Sequence, residues 1–128
     1  MNVKDRSQLF LRKASDDEIL LKHHLNDDLI ANSIWGFHAQ QAAEKILKAV
    51  IVYKGLQAPR SHDMTGLYEI LESSGNRPPV SLEALDLLTP FAVTFRYDDV
   101  IEDELDKQAA WLVICHLNAW AQTIVIGV

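Results

Sequence analysis

Residues 35–54 read Trp-Gly-Phe-His-Ala-Gln-Gln-Ala-Ala-Glu-Lys-Ile-Leu-Lys-Ala-Val-Ile-Val-Tyr-Lys, and their distribution around a helix decides the fold. At about 100° per residue, Trp35, Ala39, Ala42, Ala43, Ile46, Leu47, Ala49, Val50 and Tyr53 share one broad apolar arc. His38, Gln40, Gln41, Glu44, Lys45 and Lys48 gather on the other side, interrupted by Phe37, Ile51 and Val52. A solvated face would rarely carry those three, so the spacing predicts a helix covered on most of its circumference. The alanines let a neighbouring helix approach closely. The polar residues then lie beside packed apolar ones and need partners. Two readings follow. One is a bundle helix with an ordinary polar stripe and (i, i+4) pairs, Glu44 with Lys48 and Gln41 with Lys45. The other is a polar site for a ligand or partner.

Working outward, the pattern extends this second helix from about residue 29 to residue 54. Gly55 is a natural stop and Pro59 confirms the break. Gly36 inside it costs roughly 1 kcal/mol relative to Ala, a cost that a close helix crossing would explain. Upstream, Leu9, Phe10, Ala14, Ile19, Leu20, Leu21 and Leu25 predict a first helix over residues 4–26. His23 and His24 suit its C-terminal dipole, and as adjacent residues on a helix they make a poor metal pair. Asn26-Asp27-Asp28 reads as a turn or as an N-cap for the next helix.

Downstream, Ser61 offers a cap for a short third helix over residues 62–73, with Met64, Leu67, Tyr68 and Leu71 on its apolar face. Gly75-Asn76-Arg77-Pro78-Pro79 is a loop. Ser81 caps a fourth helix bearing Leu82, Leu85, Leu88, Ala92 and Phe95. Pro90 should kink or split it, and Arg96-Tyr97-Asp98-Asp99 ends it. The last helix covers about residues 102–126, with Leu105, Ala109, Leu112, Val113, His116, Ala119 and Trp120 at helical spacing. Asp99, Glu102, Asp103 and Glu104 lie at its start, where negative charge is favourable. Residues 1–128 therefore predict one all-α domain, an antiparallel up-and-down bundle of about five helices.

Lys and Arg number 12 against 18 Asp and Glu, a formal charge of −6. That disfavours a general electrostatic grip on RNA or DNA but leaves room for a local basic patch. Cys115 is the single cysteine, so neither an intrachain disulfide nor a cysteine-cluster metal site is expected. Its apolar neighbours predict a small buried residue rather than a reactive thiol. The first residues are charged and lack an apolar h-region, and no run is long and apolar enough to cross a membrane. A soluble, cytoplasmic protein is expected.

The run Phe37-His38-Ala39-Gln40-Gln41-Ala42-Ala43-Glu44-Lys45-Ile46-Leu47-Lys48-Ala49 resembles the signature helix of HEPN domains. Ser61-His62-Asp63-Met64 is similar to that family's His-Asp-Leu opening of the next helix, and Ala92-Val93-Thr94-Phe95-Arg96-Tyr97 to its Ala-Val-x-Phe-Arg-Tyr stretch. The resemblance implies an all-α bundle, commonly dimeric, often encoded beside or fused to a minimal nucleotidyltransferase. It also implies nucleotide binding, or RNA cleavage in toxin–antitoxin and defence systems. Ribonuclease members carry an Arg followed about four to six residues later by a His, which suits phosphate binding and proton transfer. After Arg96 this chain has Tyr97-Asp98-Asp99-Val100-Ile101-Glu102-Asp103 and no His, so those catalytic roles are not carried across.

Among single residues, Arg96 is read as a partner for Glu44 ahead of a phosphate ligand. Tyr97 is read as packing ahead of base stacking, and His116 as a satisfied core histidine. Trp35, Trp111 and Trp120 are read as core or dimer contacts. His62 and His38 are the proton-transfer candidates. Two hypotheses result. The first is a homodimeric binding module, with no cofactor beyond a nucleotide or phosphate ligand held by Gln40, Gln41, Glu44, Lys45, Lys48, His62, Arg96 and Tyr97, and with a minimal nucleotidyltransferase as partner. The second is a metal-independent RNA endonuclease using His38 or His62 with Arg96.

Overall fold

The computed structural model describes residues 1–60, 63–92 and 104–127. Helix α1 spans Val3–His23, α2 Asn32–Tyr53, α3 Met64–Ser73, α4 Leu82–Asp86 and α5 Lys107–Val125. A 3-10 turn, Thr89–Phe91, lies between α4 and α5. The architecture is an all-α bundle, and no strand occurs among the described residues.

α1 is capped by Asn2, whose Oδ1 accepts the Asp5 N–H at 2.8 Å. It buries Ser7, Leu11, Ala14, Asp17 and Leu21, one residue per turn on a single stripe. α2 buries thirteen of its 22 residues, Ile51 and Val52 among them, so it is covered on most of its circumference. It lies antiparallel to α1: Trp35 reaches Leu21, and Lys45 reaches Asp17. α5 opens beside the α1–α2 turn, where Gln108 Nε2 donates to Asn26 Oδ1 at 2.9 Å. From there it runs alongside α2.

Several boundaries differ from the sequence expectation. α2 begins at Asn32, behind an Ala31 cap with no side-chain bond. Asp27 is instead spent on the preceding turn, its Oδ1 accepting the Leu29 N–H at 3.0 Å and its Oδ2 meeting His24 Nδ1 at 3.0 Å. The hydrogen bond from His24, then that from Leu29, holds the Asp27 carboxyl below the usual carboxylate range. Asp63 caps α3 through the Thr65 N–H, one residue pair later than the proposed Ser61, which lies outside the described residues. Ser81 caps α4 as expected, accepting the Ala84 N–H at 3.1 Å. That helix stops at Asp86, and Pro90 sits at the start of the 3-10 turn. The expected continuation to Phe95 and Arg96-Tyr97-Asp98-Asp99 lies outside the described residues. α5 starts at Lys107 behind Asp106, whose Oδ1 accepts the Ala109 N–H at 3.0 Å.

The largest correction concerns which face of α5 is buried. Ile114, Leu117, Ala121 and Val125 point inward, whereas Ala109, Leu112, His116 and Ala119 are exposed. His116 is therefore not a core histidine. α5 is apolar nearly all round, so spacing alone does not choose its inner face.

Gly36 has its expected reason. A Cβ added there would lie 2.5 Å from Cγ of Phe91, so the ring of the 3-10 turn rests on the α2 backbone. Gly36→Ala should therefore destabilise the protein despite its better helix propensity. Overpacking costs about 1–3 kcal/mol, and propensity returns up to about 1 kcal/mol. Thermal unfolding by circular dichroism should show a drop of several degrees. An unchanged or higher Tm would mean that the Phe91 ring moves aside freely.

Candidate functional site

The polar side of α2 resolves into two hydrogen-bonded clusters. The first reaches across to α1. Asp17 sits on the buried stripe of α1, 8% exposed, between two α2 residues that are two turns apart on one face. Its Oδ1 meets His38 Nδ1 at 2.8 Å, and its Oδ2 accepts from Lys45 Nζ at 2.7 Å. The Phe37 ring stands edge-on to the imidazole, centroids 5.4 Å apart. Nδ1 faces Asp17, and His38 Nε2 makes no hydrogen bond among the described residues; in the tautomer whose Nδ1 donates to Asp17, Nε2 is the accepting nitrogen. This is the carboxylate–imidazole geometry in which the acid fixes the tautomer and the far nitrogen is left to accept a proton.

The second cluster lies within α2. Lys48 Nζ donates to Glu44 Oε1 at 2.7 Å. Gln40 Nε2 donates to Glu44 Oε2 at 3.3 Å, and Gln41 Nε2 to Gln40 Oε1 at 2.9 Å. Gln40 is fully buried and Glu44 only 3% exposed. No buried side-chain nitrogen or oxygen among the described residues lacks a partner. The Glu44–Lys48 pair is the one foreseen from spacing. Gln41 with Lys45 is not: Gln41 turns to Gln40 and Glu44, and Lys45 is drawn to Asp17, because a carboxylate is the better acceptor for an ammonium. His62, Arg96 and Tyr97, three of the proposed site residues, lie outside the described residues, and so does any Glu44–Arg96 pair. Sequence reasoning missed Asp17, which supplies the acceptor for both His38 and Lys45.

Next to Asp17, burial first and the Asp17 charge second raise the Glu18 carboxyl from the ordinary 4.5 to about 7. Burial, then the Glu18 charge, pushes the Cys115 thiol up, so Cys115 stays protonated. The cysteine is half-buried rather than enclosed. Because Glu18 holds its proton more tightly folded than unfolded, its favourable contribution is complete below about pH 4.5 and is lost as pH rises through about 7. Discounted for the solvent the side chain still meets, the loss between pH 5 and 8 is on the order of 1 kcal/mol. Urea unfolding across that range should show the decline, and Glu18→Gln should flatten it. An identical pH slope in the variant would remove Glu18 as its source.

The family model described as HEPN domain matches residues 7–114, most of the chain. The chain belongs to the HEPN family. No curated protein and no solved structure matches it. The matched span contains Asp17, His38, the Glu44 cluster and the first part of α5. Among the described residues, no three His, Cys, Asp or Glu side chains gather as a metal site, and no helix is long and apolar enough to cross a membrane.

Proposed function

We propose that this HEPN domain is a cytoplasmic binding and interaction module. It pairs with a second copy of itself, and it holds a nucleotide or phosphate ligand or docks on a minimal nucleotidyltransferase, within a toxin–antitoxin-like or defence system. The observation that carries the reading is the outer face of α5. Leu112 is 58% exposed there, in line with Ala109, His116 and Ala119, and Ile19 on the neighbouring α1 is 56% exposed. Single exposed apolar residues are ordinary, but here Leu112 stands among small side chains, with Ile19 exposed on the neighbouring helix, a face on which another helix can lie closely. A second copy fits this stripe, because a two-fold contact brings the same small and apolar residues from both chains together. HEPN domains commonly dimerise, which supports that choice of occupant. The net charge of −6 disfavours RNA as the general partner.

Mass determination by light scattering tests the pairing. Wild type should run at twice the 14.5 kDa chain mass, and Leu112→Glu at the chain mass. A wild-type monomer at high concentration ends this part of the reading. Calorimetry with ATP and GTP tests the ligand. No heat with wild type, or equal binding by a Lys45→Ala, Lys48→Ala double variant, ends that part.

One observation favours an alternative, a metal-independent ribonuclease: the Asp17–His38 pair, 2.8 Å apart, with His38 Nε2 available as acid or base toward a ribose hydroxyl or leaving oxygen. Incubation with RNA, with and without EDTA, decides it. EDTA-insensitive cleavage lost in His38→Ala would support the nuclease, and RNA left intact at high protein concentration would end it.

A further inference from the structure

The first turns of α1 and the last turn of α2 with its following segment enclose a cleft of about 450 Å³. Arg6, Lys48 and Arg60 contribute cations to its lining, while Phe10, Val52 and Leu56 contribute apolar surface. Among the described residues no carboxylate lines it, although acids outnumber bases in the chain by six. Arg6 and Arg60 are exposed and make no ion pair among the described residues. Lys48 leans inward on Glu44, which fixes its ammonium at the cleft wall with 13% of the side chain exposed. Two guanidiniums beside a concavity, with the Lys48 ammonium held by Glu44 at its wall, place local positive potential on a chain of net charge −6. Guanidinium groups match phosphate oxygens in pairs. The cleft volume falls within the range that encloses small organic ligands.

We infer that this cleft binds a small organic phosphate of nucleotide size, its phosphate between Arg6, Lys48 and Arg60 and its apolar or aromatic body against Phe10, Val52 and Leu56. The inference rests on the proposal that the domain binds a phosphate ligand, and it places that ligand away from Lys45 and His38. Adenosine lacks the charge and pyrophosphate lacks the body, so each alone should bind more weakly than ADP.

The test is calorimetry of the full chain with ADP, adenosine and pyrophosphate, at low and at moderate salt. Wild type should bind ADP at least tenfold tighter than either fragment, more weakly as salt rises. Arg6→Ala with Arg60→Ala should lose at least tenfold in affinity. A charge-matched control, Arg12→Ala with Arg77→Ala, removes two exposed arginines elsewhere and should bind as wild type does. All four side chains are exposed, so circular dichroism should show every variant folded. Absence of ADP binding by wild type overturns both the cleft and the phosphate-ligand reading. ADP binding that survives Arg6→Ala, Arg60→Ala overturns the cleft alone. Binding of a short single-stranded RNA, lost in the same variant while ADP gives no heat, overturns the small-ligand assignment.

Discussion

Glu44→Ala is expected to cost about 3–5 kcal/mol and to lower the melting temperature by roughly 10 °C or more. The carboxylate is 3% exposed and accepts from Lys48 and from the fully buried Gln40. Removing it leaves the fully buried Gln40 amide without an acceptor and takes the counter-charge from Lys48, which is only 13% exposed at the cleft wall. The cost is the penalty for an unpaired charge, not the worth of the pair, and a second variant separates the two. Glu44→Met with Lys48→Met replaces the ion pair by apolar groups of similar length but still leaves the Gln40 amide without that acceptor, so it should cost about 1–3 kcal/mol, less than Glu44→Ala. Glu44→Gln keeps the shape but leaves the lysine without a counter-charge, so it should lie between the two. Urea unfolding of the four proteins checks the order. A Glu44→Ala protein within about 1 kcal/mol of wild type would mean that water already reaches the cluster, since exposed pairs are worth no more than that.

The same residues show how much of the fold is legible in the sequence. The burial of α2 was legible because Ile51 and Val52 sit where a solvated stripe would be polar. The Glu44–Lys48 pair was legible from a four-residue separation within one helix. Asp17 was not, because its partners are 21 and 28 residues away in another helix. A signal for it does exist. Ser7, Leu11, Ala14 and Leu21 recur at steps of three, four and seven, and the missing member of that series is Asp17 or Glu18. An acid on a core stripe must find a cation, and only the α1–α2 register says which one. The outward face of α5 was hidden for the opposite reason. With apolar residues on both sides of the helix, orientation is set by packing against α2, and the exposed stripe shows only once Ile114, Leu117 and Ala121 are seen pointing inward. The cleft cations could not be grouped from sequence either, since Arg6, Lys48 and Arg60 line one cleft only when α1 lies antiparallel to α2.

Trp35 joins α2 to α1, and Trp35→Ala should cost about 3–5 kcal/mol. The indole is fully buried, and its Nε1–H donates to the Leu21 carbonyl at 3.1 Å. Leu21 lies in the final turn of α1, whose last carbonyls have no donor within their own helix. The tryptophan therefore fills the core and also satisfies an acceptor at the end of its neighbour. Trp35→Phe keeps most of the ring and removes the donor, so it should cost about 1–2 kcal/mol, the value of one buried hydrogen bond plus a small void. The functional consequence follows from position. Leu21 is one turn beyond Asp17 on the buried stripe of α1, and Trp35 is three residues before His38 on α2. The contact that pins Leu21 also sets where Asp17 meets His38. In Trp35→Ala the imidazole nitrogen resonances of His38 should move toward those of a free histidine, while in Trp35→Phe they should stay near wild type. If they stay in place in both variants, the Asp17–His38 pair is positioned by Lys45 and the core around it, and Trp35 contributes stability alone.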